Sequence, residues 1–224
     1  MITSASNPRL KLIRRLQSRA QRQRLGLFVC EGEDLVDAGR AAGAEPVDVL
    51  VAGEDVESEL LAAVSTLAHP PRVIAVFRRA DLRQPTPQAT GLALWRVADP
   101  GNVGTLIRTA DALGAAVFPS AGCADPTGPK ALRASMGSIF RVPLGQFDDA
   151  PGKRVGLVPR GGRPLSELDL SGPTTFVLGA EREGLPEDVA ASCDETASIP
   201  LAPQAESLNV AAAGAIALYE RMRA

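Results

Sequence analysis

This chain has little of what many small enzymes use for chemistry. Its 224 residues include one histidine, His69, and three cysteines, Cys30, Cys123 and Cys193, scattered without paired spacing. An odd, dispersed cysteine set beside a single histidine argues against a zinc site or a disulfide framework. His69 lies in a His-Pro-Pro loop edge and reads as solvated, not catalytic. Aromatics make up 4% of the chain, too few for base stacking to dominate any nucleic-acid contact. No apolar run approaches the ~20 residues a spanning helix needs, and the start is polar and basic, unlike a signal peptide. These features predict a soluble, cytoplasmic protein without membrane or metal. No Gly-x-Gly-x-x-Gly follows a strand and no P-loop is present, which disfavours dinucleotide enzymes and NTPases. No repeat or low-complexity tract is present beyond Ala-rich helix sequence.

What is present is uneven charge and three polar segments. The net charge is −2, yet residues 1–30 hold Arg9, Lys11, Arg14, Arg15, Arg19, Arg22 and Arg24 and no acid, leaving −9 on the rest. Such a stripe can neutralise phosphates through counterion release; a solvated helix packed by Leu10, Ile13 and Leu16 is the alternative. We favour RNA contact by Arg9, Lys11, Arg14, Arg15, Arg19 and Arg22. With 45% hydrophobic residues the chain can bury ordinary cores. The one linker-like stretch, Pro85 to Gly91, divides a βα mixture over residues 1–88 from alternating strands and helices over 89–224, the pattern of a mostly parallel sheet.

The first segment, Asp99-Pro100-Gly101-Asn102-Val103-Gly104 through Arg108 to Gly114, follows an apolar strand at Leu92 to Val97 and reads as strand, tight turn, helix. Asn102 at the turn and Arg108 about one turn inside the helix both reach toward the strand's carboxyl end. As a bland alternative, Asn102 is a turn residue and Arg108 pairs with Asp111. The second, Thr174 to Pro186, is a strand running into Gly179 and a charged loop with Glu181, Arg182 and Glu183, open to close backbone approach by a ligand or simply solvated. The third, Ile199 to Val210, holds Ser207 and Asn209 before an Ala-rich helix from Leu208 to Met222, where Ser207 could be an N-cap.

In this order and spacing the segments resemble the three motifs of the SpoU (TrmH) family of RNA ribose 2′-O-methyltransferases. Lys130 to Gly137 is similar to its internal Ala-Ser-x-Gly segment. Ile2 to Pro8, Gly26 to Gly32 and Pro71 to Phe77 resemble the substrate-binding domain of its ribosomal-RNA branch, which is similar to ribosomal protein L30e. The resemblance implies an α/β protein with a trefoil-knotted SPOUT-type C-terminal domain and a smaller α/β N-terminal domain that binds RNA. The implied activity is methyl transfer from S-adenosylmethionine to a ribose 2′-hydroxyl, with 23S ribosomal RNA the expected target. A transfer-RNA enzyme and a catalytically weak RNA binder are the alternatives.

Family roles carried onto matching positions give Arg108 as base or electrostatic stabiliser, Asn102, Ser207 and Asn209 as positioning groups, and Glu181 as a brace. Gly179, Ile199 and Leu208 are the principal donor contacts, with Leu178 and Leu201 nearby. A guanidinium base is awkward because arginine stays protonated, while electrostatic stabilisation asks for the same residue in the same place. The resemblance also implies a homodimer with a site completed across its interface. Ala211, Ala212, Ala213, Gly214 and Ala215 suit that interface or, equally, packing inside one subunit. Three positions depart from the pattern: Pro203 where glycine is usual, Ala211 where serine is frequent, and Ala180 where asparagine or serine is frequent. Pro203 raises the expectation of weakened donor affinity, because proline fixes φ and removes an N–H.

Overall fold

The computed structural model describes residues 1–224. The N-terminal part runs α1 (Pro8–Leu16), α2 (Arg19–Leu25), β1 (Leu27–Glu31), α3 (Glu33–Ala41), β2 (Asp48–Val51), α4 (Ser58–Ala62) and β3 (Val73–Arg78). Its three strands form an antiparallel sheet in the order β1-β3-β2. Period-two alternation sends Val29, Ile74 and Val76 to one face, against Leu10, Ile13 and Leu16 of α1. Phe28, Cys30, Ala75 and Phe77 point the other way.

The C-terminal part runs β4 (Gly91–Leu94), α5 (Pro100–Ala112), β5 (Ala116–Pro119), α6 (Pro129–Ser135), β6 (Lys153–Leu157), β7 (Arg163–Pro164), β8 (Thr174–Leu178), α7 (Glu187–Ala191), β9 (Glu195–Ser198) and α8 (Val210–Arg223). Six strands form a sheet in the order β5-β4-β8-β6-β9-β7, parallel throughout. Strand β8 therefore enters between β4 and β6, with every carboxyl end at one edge. Leu92, Leu94, Phe176 and Leu178 face one core, and Ala93 and Val177 face a smaller one with Phe118, Phe147 and Val189.

Helix α5 begins earlier than a turn at Pro-Gly would allow. Asp99 is its N-cap, accepting from the Asn102 N–H at 2.9 Å, with Pro100 at the first helical position, where its missing N–H costs nothing. Asn102 is thus in the first helical turn, not in a loop. Gly114, at φ 66°, ends the segment as expected. The last helix starts at Val210, two residues later than its apolar pattern implied. Its cap is Asn209, whose Oδ1 accepts from the N–H groups of Ala211 and Ala212; Ser207 caps nothing.

The small residues of α8 divide between two faces. Ala211, Gly214 and Ala217 are buried in the subunit, and a Cβ on Gly214 would stand 2.5 Å from Leu106 of α5 and 3.1 Å from Leu178. Ala212, Ile216, Tyr219 and Met222 remain exposed.

One apolar core joins the two sheets. Phe28 and Phe77 reach Phe140 with ring centroids 5.8 and 4.9 Å apart, and the same buried cluster continues to Leu92 and Ile107. Beside it, buried Arg22 donates to Asp125 at 2.8 Å and to the carbonyls of Leu16 and Gln17, and Arg79 meets Asp125 at 3.2 Å. No helix is long and apolar enough to cross a membrane.

Candidate active site

The carboxyl ends of β6, β8 and β9 open into a cavity of about 500 Å³. Leu178 and Gly179 line it from β8, Leu157 to Pro159 from the end of β6, Ile199 and Leu201 from beyond β9, and Ser207 and Leu208 from the approach to α8. Crevices outside strand carboxyl ends are where open parallel sheets bind ligands. The five residues expected to contact a donor, Gly179, Ile199, Leu208, Leu178 and Leu201, all lie on its wall.

Gly179 is there because nothing larger fits. A Cβ would stand 2.1 Å from the carbonyl carbon of Gly184 and 2.3 Å from the Leu185 nitrogen, both backbone atoms. The loop between is a tight ring: Ala180 and Gly184 exchange N–H···O bonds of 3.1 and 2.9 Å, and Gly184 turns the chain at φ 69°.

That ring presents Glu181 to the start of α5. Its carboxylate accepts from the N–H groups of Ala98 at 3.1 Å and Asp99 at 3.0 Å and from Asn102 Nδ2 at 3.1 Å. Asn102 Oδ1 in turn accepts from Asn209 Nδ2 at 3.1 Å. Because Asn209 Oδ1 is engaged by α8 and Glu181 can only accept, both amide orientations are fixed by their partners. Partial desolvation pushes the Glu181 carboxyl up, but the Asp99 N–H, the Asn102 amide and the Ala98 N–H outweigh it and hold its pKa below the usual carboxylate range. One polar chain, Glu181–Asn102–Asn209, therefore ties three sequence motifs into a single edge of the cavity. Ser207 lines the same cavity with an exposed side chain.

Arg108 is not brought to this edge. It lies six residues past Asn102, well over one turn along α5, exposed and outside the cavity wall. Nor does it pair with Asp111, which is taken by Arg141 and by Ser138 at 2.8 Å.

Pro203 sits in an exposed turn closed by the Ala205 N–H on the Ala202 carbonyl at 2.9 Å, outside the cavity wall. Proline at this second position pre-sets the turn.

The basic segment is only partly a surface. Arg22 is 4% exposed and occupied by Asp125, which removes it from any phosphate-facing set. Arg9 is bound to Asp48 (Nε to Oδ2, 2.9 Å), Arg14 to the Ala5 carbonyl at 2.9 Å, and Arg19 to the Cys123 carbonyl at 2.8 Å. Lys11 and Arg15 stay exposed. Sequence reasoning missed Asp99 and the β6 wall, Leu157 to Pro159. The Asp-Pro start of the first motif signals Asp99 as a cap, whereas nothing local marks the end of β6 as a ligand wall.

A parallel α/β sheet with a cavity over its carboxyl ends, edged by a carboxylate-amide network, defines an α/β protein built to bind a small molecule at that crevice. Residues 89–219 match the model of the SpoU rRNA Methylase family, and residues 7–80 that of the MRM3-like substrate binding domain. The chain belongs to the SpoU family. It is similar to the 23S rRNA (guanosine(2553)-2′-O)-methyltransferase RlmP of Bacillus subtilis, 33% identical with 97% of each chain covered. It is also similar to the 23S rRNA (uridine(2479)-2′-O)-methyltransferase of Streptomyces viridochromogenes, 37% identical over 69% of this chain and 61% of the relative. Among solved structures, the AdoMet-bound rRNA methyltransferase of Sinorhizobium meliloti superposes with a TM-score of 0.88 at 30% identity, covering 99% of this chain and 97% of that one.

Proposed function

We propose that the protein transfers a methyl group from S-adenosylmethionine to a ribose 2′-hydroxyl of 23S ribosomal RNA. The observation that carries this reading is the joining of Glu181, Asn102 and Asn209 at the edge of the cavity walled by Leu178, Gly179, Ile199, Leu201 and Leu208. The cavity fits the donor: its volume of about 500 Å³ suits a nucleoside-sized ligand, and Gly179 lets the Gly184 and Leu185 backbone fold closely behind the wall. When bound, the donor supplies an electrophilic methyl for in-line displacement.

The chain's own residues orient the hydroxyl and handle its charge. Glu181 is held ionised with its acceptor sites occupied, so it braces Asn102 and does not take the proton. Ser207, on the wall with an exposed side chain, positions the ribose. Arg108 acts electrostatically from a second subunit, holding a phosphate and stabilising the developing alkoxide, while the hydroxyl's proton passes to solvent water at the open side of the cavity. Its exposed place on α5 and the exposed α8 face with Ile216, Tyr219 and Met222 support a homodimer completed across that surface. The reading includes a division at residues 88/89, a cytoplasmic setting, and a trefoil-knotted C-terminal domain. The entry of β8 between β4 and β6, and the return of residues 199–209 across the carboxyl ends, support the knot.

The test is methyl transfer from labelled donor to unmodified 23S and transfer RNA transcripts by the wild type, Arg108→Ala and Arg108→Lys. Transfer to 23S RNA, loss in Arg108→Ala with donor affinity kept, and little rescue by lysine, which lacks the planar fork, are expected. Methylation of transfer RNA alone would overturn the substrate, and wild-type transfer by Arg108→Ala would overturn the site.

A further inference from the structure

Arg96 stands in a conformation that a side chain pays to adopt. It follows β4 at φ 53°, one of two non-glycine residues in the left-handed region. No polar partner inside the chain accounts for an arginine there: the residue is exposed and its guanidinium makes no ion pair or hydrogen bond with the rest of the protein. Glycine would meet the backbone demand without strain, so the backbone conformation is not what calls for an arginine. Backbone strain of this kind gathers where a side chain is held for a task.

The surroundings are cleared and fastened for it. The Arg96 N–H donates to Ser120 Oγ at 2.9 Å, pinning the backbone to the loop after β5. In that loop a Cβ on Gly122 would lie 2.7 Å from Arg96 Cγ and 3.2 Å from Nε, so the arginine stem rests directly on glycine backbone.

Its neighbours in sequence belong to the reaction site. The Trp95 N–H donates at 2.7 Å to the carbonyl of Leu178 on the cavity wall, and the N–H groups of Ala98 and Asp99 hold Glu181. On its other side, Ser120 and Ala121 line an interdomain groove of about 660 Å³ whose wall includes Arg19, Arg79, Gln23, Gln84 and Gln146. Asp125 and Asp149 also line it, with Asp125 paired to Arg79, so the groove is polar and amide-rich with its charges balanced. Arg96 is thus tied through Ser120 to a polar, amide-rich groove on one side and through Trp95 and Ala98 to the site that would receive the ribose on the other.

We infer that Arg96 is a substrate-positioning residue that binds a backbone phosphate of the RNA strand beside the methylated nucleotide, as that strand passes from the interdomain groove to the Asn102 edge. This inference rests on the RNA-methylating function proposed above. A planar, exposed guanidinium with all its donors free suits a phosphate better than any neutral ligand.

The experiment compares wild type, Arg96→Gly and Arg96→Lys in three readouts: thermal melting, donor binding by calorimetry, and binding of an unmodified 23S RNA transcript as a function of salt. Arg96→Gly is expected to melt no lower than wild type and to bind donor unchanged. Its RNA affinity should fall about tenfold, and its salt slope should drop by about one. In turnover assays KM for RNA should rise with kcat nearly unchanged at saturation. Arg96→Lys should recover the salt slope and part of the affinity. Unchanged RNA affinity and slope in Arg96→Gly would overturn the inference, as would a lower melting temperature with lost donor binding, which would make the arginine structural. Failure of the wild type to methylate any RNA would instead count against the proposed function, because the binding arm is read without catalysis.

Discussion

Replacing Arg22 by methionine separates a buried tether from a phosphate contact. The Arg22 and Asp125 side chains are 5% and 6% exposed, and the arginine also satisfies the carbonyls of Leu16 and Gln17. Removing one partner of a buried ion pair costs about 3–5 kcal/mol, because the other charge stays desolvated. The lower end applies here: Asp125 keeps the Thr127 N–H at 3.0 Å, the Thr127 hydroxyl at 2.8 Å and Arg79 at 3.2 Å, and methionine keeps much of the stem's packing. A loss near 3 kcal/mol lowers the melting temperature of a protein this size by roughly 6–12 °C. Calorimetric melting of Arg22→Met beside a salt titration of RNA binding measures both quantities. The expected result is the thermal shift with an unchanged salt slope. An unchanged melting temperature with a slope reduced by about one would refute the tether and return Arg22 to the RNA-facing set.

Two other outcomes follow from the same geometry. Gly179→Ala forces a methyl onto the backbone of Gly184 and Leu185, an overpacking of about 1–3 kcal/mol that should open the 180–184 ring and weaken binding of S-adenosylhomocysteine in calorimetry; wild-type affinity would show that the ring does not shape the donor cavity. Burial raises the Asp125 pKa, but the Thr127 bonds and Arg22 outweigh it and hold the folded value below the ordinary 3.8, so its stabilisation is present above that pH and lost as pH falls through the folded value. Melting temperature should therefore hold steady down to about pH 5 and drop below about pH 4, with the curves of wild type and Asp125→Asn converging at the acid end; parallel curves would contradict the assignment.

Local signals were legible and long-range partners were not. Strand β8 and helix α5 declare themselves through apolar alternation and through Asp99-Pro100 and Gly114, whereas Gly179, Ile199 and Leu208 were singled out by the family resemblance, and the structure sets all three on one cavity wall. The spacing between Asn102 and Arg108 was misjudged, since six residues carry the arginine along α5 and away from the cavity edge. Arg22 shows the general difficulty: its charge reads the same whether solvated or buried, and its partner lies 103 residues away. Pro203 shows a related difficulty, because proline's missing N–H matters only where a ligand needs it, and the sequence does not show that the residue also serves a turn. The α8 alanines were ambiguous because close packing within a subunit and between subunits asks for the same small side chains.

The apolar seam through Phe28, Phe77 and Phe140 makes the molecule a gauge. A module that grips RNA on a loose tether samples many offsets along the strand, and the methylated position is then settled by local sequence. Here the two sheets share one core, so an RNA element held by the N-terminal sheet would stand at a fixed distance from the cavity, set by packed side chains. Selection of a nucleotide would then be a measurement of distance along folded RNA. An insertion within the RNA, between the gripped element and the target, would shift the methylated position by the inserted length. Extra residues at the exposed Thr86 to Gln88 tip of the linker would leave the choice of nucleotide unchanged, because Leu82 and Ala89 on either side stay packed in the cores.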